Sequence, residues 1–352
     1  MNSCSQEFAD KFPYVVKEYA KEHRIPVSAT IELTPFCNFS CVMCYVRLNS
    51  EQAKKQGELL TKEQILSVAK QAKEMGTLYL TLTGGEPFVR PDFWEIYGEL
   101  NKMGFLISIL SNGSLIDETA MEKFSEFGMP YSVKLTLYGA SNETYERVCH
   151  SNWGFTKIEN AVKLLKNAGV PVILTSTVVK ENAEDLIEMY NIAREWKVPF
   201  SHTASVVKSV RGAENSAEIS RFKFEEFINN LTLEQLEKNK IPKRDTPFAW
   251  CSNYRSSLWL TWNGHVQLCS FMNGPYAELK TDLKSAWDEL NKKLDALKDP
   301  DECKECEYSD FCQRCPGMMC AESGDAEKVS ETVCNTAKEI YMLYKRKLEE
   351  KQ

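Results

Sequence analysis

The sequence predicts an α/β fold: an open, partial (β/α)6 barrel followed by a cysteine-rich C-terminal part. Two observations carry this. Short β-rich runs alternate with amphipathic helical stretches between residues 28 and 206, and thiols crowd the last third of the 352-residue chain. Repeated strand–helix alternation implies a parallel sheet with helices outside it. Six such units fall short of the eight that close a full barrel.

Element by element, Ser28–Leu33 reads as the first strand. A helix is predicted over 61–75, where Thr61 and Gln64 have capping-box spacing and Gly76 suits the stop. Its apolar face is Ile65, Val68, Ala69, Ala72 and Met75 at i, i+3, i+4 spacing. Strands follow at Thr77–Thr83, Phe105–Leu110, Val133–Leu137, Val172–Val179 and Phe200–Val206, separated by helices near 92–103, 117–127, 155–168 and 183–196. A helix over 222–239 leads into the Pro-flanked segment 240–247, a boundary. The expected division is an N-terminal extension (1–27), the barrel (28–240) and a cysteine-bearing domain (241–352). In the last part, Leu258–Trp262, Asn263-Gly264 and His265–Leu268 read as a hairpin with the dipeptide that type I′ turns prefer. Helices near 281–297 and from 334 complete the chain.

The formal charge of −7 leaves no basic excess to neutralise phosphates, which argues against a nucleic-acid partner. The N-terminus has neither the basic nor the apolar region of a secretory signal, and no apolar run reaches membrane-spanning length. The expectation is a soluble, cytoplasmic protein. In a reducing compartment the 13 cysteines read as metal ligands rather than a disulfide scaffold, because a chain this long builds its own core.

Cys37, Cys41 and Cys44 lie on the loop after the first strand, the end where α/β barrels place their chemistry. Cys-x₃-Cys-x₂-Cys supplies three thiolates, whereas a [4Fe–4S] cluster takes four, so one iron is left open. Zinc fits less well, since structural sites prefer paired Cys-x₂₋₄-Cys units. The second strand ends in Gly84-Gly85-Glu86-Pro87, where glycines permit close backbone approach and a carboxylate or carbonyl can accept from an ammonium. Together these motifs resemble the radical S-adenosylmethionine (SAM) superfamily over about residues 28 to 345. The resemblance implies that Gly84, Gly85, Glu86 and Pro87 meet the SAM amino group. It further implies that Ser111 and Asn112 approach the ribose, that the Thr136 hydroxyl faces SAM, and that Arg147 lies near its carboxylate. Tyr138 stands where many relatives have Asp.

The remaining cysteines, Cys251-x₁₂-Gly264-x₄-Cys269 and Cys303-x₂-Cys306-x₅-Cys312-x₂-Cys315 with Cys320 and Cys334, resemble the SPASM extension of that superfamily. Eight thiolates suit two fully ligated [4Fe–4S] clusters, and a zinc-ribbon-like tail is the alternative. By analogy Cys303, Cys306, Cys312 and Cys334 hold one cluster, and Cys251, Cys269 and Cys315 the other. Cys320 is the candidate fourth ligand of the second, although the spacing at Cys315 is one residue short of the family pattern. Three clusters are expected, one of them SAM-binding. Cys4 and Cys149 read as non-ligands, and the four histidines as structural.

The resemblance implies reductive cleavage of SAM to a 5′-deoxyadenosyl radical and oxidation of a peptide or protein substrate, such as a thioether or carbon–carbon crosslink in a ribosomally made peptide. It also implies an electron donor such as flavodoxin or ferredoxin. Residues 1–27 are too few for the winged-helix leader-recognition domain fused to many peptide maturases, so leader binding would need a separate leader-recognition protein or the SPASM surface, unless the substrate has no leader. The alternatives are a formylglycine-generating sulfatase maturase, a small-molecule dehydrogenase, and a non-catalytic iron–sulfur or zinc protein. Ser270 stands where the maturases commonly carry an Asp base.

Overall fold

A computed structural model describes residues 15–212 and 231–351. After a helix α1 (15–23), the six expected strands form in order: β1 Ser28–Glu32, β2 Tyr79–Thr83, β3 Leu106–Ser111, β4 Ser132–Thr136, β5 Val172–Thr177 and β6 Phe200–Thr203. Each pairs in parallel with its sequence neighbour. The connecting helices are α2 Ser50–Gln56, α3 Lys62–Glu74, α4 Phe93–Lys102, α5 Glu118–Phe127, α6 Asn142–Cys149, α7 Gly154–Asn167 and α8 Leu186–Glu195. The Thr61–Gln64 capping box starts α3 as predicted, while α2 and α6 carried no period long enough to announce them.

The C-terminal part contains α9 Leu233–Lys238, β7 Ser257–Leu260, β8 His265–Gln267, β9 Ala277–Glu278, α10 Leu283–Asp295, α11 Pro316–Ser323 and α12 Glu331–Glu349. Of the helix predicted over 222–239, residues 222–230 lie outside the described residues. The β7–β8 hairpin forms, but its turn is not type I′, because Asn263 lacks the positive φ that this turn demands. Its side chain is drawn aside instead: Oδ1 accepts from Thr261 Oγ1 (2.7 Å) and Nδ2 donates to the Gln56 carbonyl (2.9 Å).

The hairpin also joins the barrel sheet. β7 pairs in parallel with β1, so one open sheet runs β6-β5-β4-β3-β2-β1-β7-β8-β9. The expected boundary near 240 therefore does not interrupt the sheet.

Period-two alternation gives that sheet two unlike faces. Ala29, Ile31, Leu80, Leu82, Ile107, Ile109, Val133, Leu135 and Leu174 point to the helices and are buried in one continuous apolar core. Each large side chain there contributes about 1.5–3 kcal/mol by leaving water. The opposite, inner face carries Thr30, Thr81, Ser108, Ser132, Lys134, Thr136, Thr175 and Thr177, most of them only partly buried. A closed (β/α)8 barrel fills its interior with branched apolar side chains. Here the inner face is hydroxyl-lined and able to hold a polar occupant. Among the described residues, no helix is long and apolar enough to cross a membrane.

Candidate metal and cofactor site

The loop carrying Cys37, Cys41 and Cys44 is built largely from backbone hydrogen bonds. Gly85 N donates to the Thr34 carbonyl (2.7 Å) and Glu86 N to the Phe36 carbonyl (2.8 Å), which ties the loop to the end of β2. Ser40 N and Val42 N donate to the Cys149 and Val148 carbonyls (3.1 and 2.9 Å) and so cap the last turn of α6. The amides of Val210, Arg211 and Gly212 converge on the Tyr45 carbonyl (3.1, 3.1 and 2.9 Å).

The two glycines of the second motif are demanded by this loop. A Cβ on Gly84, whose φ is +142°, would stand 2.3 Å from the Thr34 oxygen, and one on Gly85 would stand 2.1 Å from the Phe36 oxygen. The close approach read from the sequence is thus made between strand end and thiol loop. Glu86 is fully buried, with Ser111 Oγ (2.9 Å), Asn112 N (2.8 Å) and Phe88 N (3.3 Å) donating to its carboxylate. Burial pushes that carboxyl up to about 7. Pro87, itself buried, opens a 3-10 turn. The motif therefore braces the ends of β2 and β3, and the Glu86 carboxylate is spent inside the protein.

Asn112 Nδ2 donates to Asn38 Oδ1 (2.9 Å) and lies 3.8 Å from Cys37 Sγ, which also accepts from Phe39 N (3.4 Å). Thr136 is half-buried at the end of β4 on the inner face, beside Thr175. Arg147 is exposed on α6, its Nη2 donating to Thr144 Oγ1 (3.0 Å) and its Nε to the Glu181 carbonyl (3.3 Å).

The three loop thiols interact with one another: Cys41 and Cys44 both bear on Cys37, whose thiol burial pushes up to about 12. Metal binding there must displace protons. The set of soft sulfurs with N–H donors aimed at them fits an iron–sulfur cluster. Two neighbours of the triad were missed by sequence reasoning. Cys149, fully buried at the end of α6, lies against the loop through the main-chain bonds at Ser40 and Val42, and the Tyr138 ring meets Phe39 of the loop edge-on at 6.3 Å. Both are remote in sequence, so only their residue types were visible. Arg90 was also missed. Its buried guanidinium donates to the Leu33 and Leu60 carbonyls (2.7 and 2.9 Å) and fixes the exit of β1.

The C-terminal thiols fall into two groups. Cys303, Cys306, Cys312 and Cys334 act on one another electrostatically, with Arg314 beside Cys303 and Cys312. Cys251, Cys269 and Cys315 form the second group, and a Cβ on Gly317 would come within 3.2 Å of Cys269 Sγ and 3.7 Å of Cys315 Sγ, so glycine leaves that space to the sulfurs. Cys320 stands apart: its buried thiol donates to the Gly274 carbonyl (3.3 Å).

The two thiol regions are joined by a buried bridge. Glu32, at the end of β1, pairs with Arg211 and accepts from Trp259 Nε1 (2.8 Å). Arg211 in turn donates to the Ser270 carbonyl (2.7 Å), next to Cys269, and the Tyr45 ring lies 5.5 Å from that of Phe271. On the inner face, Lys134 is exposed and makes no ion pair with any described residue.

Comparison with known proteins agrees with this geometry. Residues 31–193 match the family model of the radical SAM superfamily. The AdoMet-dependent heme synthase of Methanosarcina barkeri is 30% identical over 56% of this chain and 55% of its own length. The sporulation killing factor maturation protein SkfB of Bacillus subtilis is 26% identical over 73% and 63%. The chain spans about half the length of the first curated relatives it matches. Among solved structures, Streptococcus suis SuiB bound to S-adenosylmethionine superposes with a TM-score of 0.63 at 16% identity, covering 95% of this chain and 81% of SuiB. anSMEcpe with bound AdoMet gives 0.62 at 21% identity, covering 92% and 98%. Residues 31–193, which carry the three thiols on the loop after β1, thus match the radical SAM superfamily, and the chain as a whole shares the fold of SuiB and anSMEcpe.

Proposed function

We propose that this protein is a radical SAM oxidoreductase that modifies a peptide or protein. The observation that carries the reading is the triad loop: three mutually interacting thiols at the open end of a sheet whose inner face is polar. Cys37, Cys41 and Cys44 would hold a [4Fe–4S] cluster with one iron free for SAM. The chemistry these groups supply when bound is reductive formation of a carbon-centred radical that takes a hydrogen atom from the substrate. The chain's residues position and enclose: Glu86 and Arg90 fix the loop's footing, Thr136 and Thr175 face the occupant, and the sheet keeps it over the strand ends. Ser111 and Asn112 would frame the cofactor by shape, since Glu86 takes the Ser111 hydroxyl and the Asn112 amide and Asn38 takes the Asn112 side chain.

The two C-terminal groups would hold auxiliary clusters, one with four thiols and one with three plus Cys320 if that thiol turns from Gly274. The peptide reading is supported by the relatives, for SkfB is a maturation protein and SuiB has been seen bound to precursor peptide SuiA. A flavodoxin or ferredoxin would supply electrons, and a separate leader-binding protein is compatible with this reading. A small carboxylated molecule is the second reading, favoured by the free ammonium of Lys134 on the inner face.

The test is anaerobic reconstitution followed by reduction in the presence of SAM. Release of 5′-deoxyadenosine with about twelve irons per chain is expected for three cubanes. A protein that binds zinc stoichiometrically and leaves SAM intact refutes the reading.

A further inference from the structure

β4 carries a lysine on the face where a closed barrel keeps apolar side chains. By strand alternation Lys134 stands on the inner face between Ser132 and Thr136, level with Leu110 of β3 and Ile173 of β5. Both cross-strand neighbours are apolar and half-buried, and Ser132 is engaged with Ser108 Oγ (2.8 Å). Among the described residues the Lys134 ammonium has no hydrogen-bond or ion-pair partner. The acid on the inner face of these strands is Glu32, and it is committed to Arg211 and to Trp259 Nε1 (2.8 Å).

One register level below Lys134, the inner face runs from Ser132 through Ser108, Thr81 and Thr30 to Trp259. This is a row of hydroxyls closed at one end by an indole that Glu32 holds in place. Trp259 is only half-buried, so part of it stays accessible. An occupant that fills this face takes water away from Lys134. Leaving an ammonium dry and unpaired is costly, whereas a carboxylate brought against it offsets that cost.

Resting on the reading that the inner face seats the substrate, we propose that Lys134 is a specificity-determining residue and that it selects a carboxylate on that substrate. The carboxylate pairs with the ammonium, while the hydroxyl row takes polar groups and Trp259 covers apolar ones. A single ammonium, without a guanidinium fork beside it, suits a singly charged carboxylate better than a phosphate dianion. Thr136 stands one level above, toward the end of the sheet that carries the thiol loop. Pairing at Lys134 therefore holds the carboxylate away from that loop and turns the rest of the substrate toward it.

The test is equilibrium dialysis of the full-length, anaerobically reconstituted, SAM-loaded protein against two pairs of probes. One pair is an acetylated alanine–glutamate–alanine amide and its glutamine counterpart, and the other is glutarate and glutaramide. Wild type should bind the acid of at least one pair about tenfold more tightly than its amide. A preference confined to the peptides makes the source a side chain, one confined to glutarate makes it a small acid, and both support the proposal. Lys134→Gln should abolish the preference, Lys134→Arg should keep it, and Lys134→Glu should transfer it to a lysine-bearing peptide. Each result is a ratio between ligands of one shape, so a folding defect does not imitate it. A wild type that fails to distinguish acid from amide in either pair overturns the proposal, as does a Lys134→Gln protein that retains the preference. So does a Lys134→Gln protein whose affinity for SAM falls in step, because the carboxylate taken would then be that of SAM. Failure of wild type to release 5′-deoxyadenosine from SAM would instead sink the radical SAM reading itself.

Discussion

The two thiol regions are assembled by different means. Cys37, Cys41 and Cys44 sit within one short loop that the end of β2, the end of α6 and residues 210–212 hold through backbone hydrogen bonds. The C-terminal thiols are gathered from Cys251 to Cys334, across a hairpin, 3-10 turns and two helices. The first site is presented by the sheet and is shaped before any metal arrives. The second brings together distant segments, and metal bound there would contribute directly to folding. Preorganisation is local in one case and collective in the other.

The largest effect expected from breaking the contrast is at the triad. Cys37→Ala should abolish SAM-dependent 5′-deoxyadenosine release, a loss of more than about 10³-fold. Thermal melting should barely move, because the sheet and not the metal holds that loop. An equal loss of stability would show that both regions are metal-built. Next comes the bridge between them. Glu32→Gln leaves the Arg211 guanidinium buried without its charge partner and should cost about 3–5 kcal/mol in urea denaturation.

Glu86 sharpens the comparison through pH. Its carboxyl is raised from 4.5 to about 7 in the fold, so the folded state holds a proton that the unfolded state releases. Its contribution to stability is complete below about pH 4.5, declines as pH rises, and levels off above about 7. The decline amounts to about 3 kcal/mol, and Glu86→Gln should flatten it when urea midpoints at the two ends of that window are compared. The smallest effect is expected at Gly85. A methyl group there meets the Phe36 carbonyl, so Gly85→Ala should cost about 1–3 kcal/mol and lower iron retention by the triad while sparing the C-terminal iron.

Much of the fold was legible because it is written locally. Short β-rich runs between amphipathic stretches marked the six parallel strands, the Thr61–Gln64 pair marked the start of α3, and Gly76 and Gly169 stand past the ends of α3 and α7 with positive φ. Strand ends shifted by a residue or a few, most at β6, since fraying ends carry little pattern. The pairing of β7 with β1 was not legible, because it joins residues more than two hundred positions apart and no turn announces it. In the site, the thiols and the strand-end motif were visible as residue types at telling spacings. The direction of the Glu86 carboxylate was not, for it depends on amide and hydroxyl donors supplied by β3. Cys149 looked solitary for the same reason: its neighbour Cys41 is brought to it only when α6 docks.

β7 lies directly against β1 in one ladder, and this fixes more than topology. Cys269 is carried on the hairpin that starts with β7, and Cys37 on the loop that leaves β1. To swing one away from the other, rungs of the sheet would have to rupture. The separation of the two segments' starting points is therefore settled once, as the chain folds.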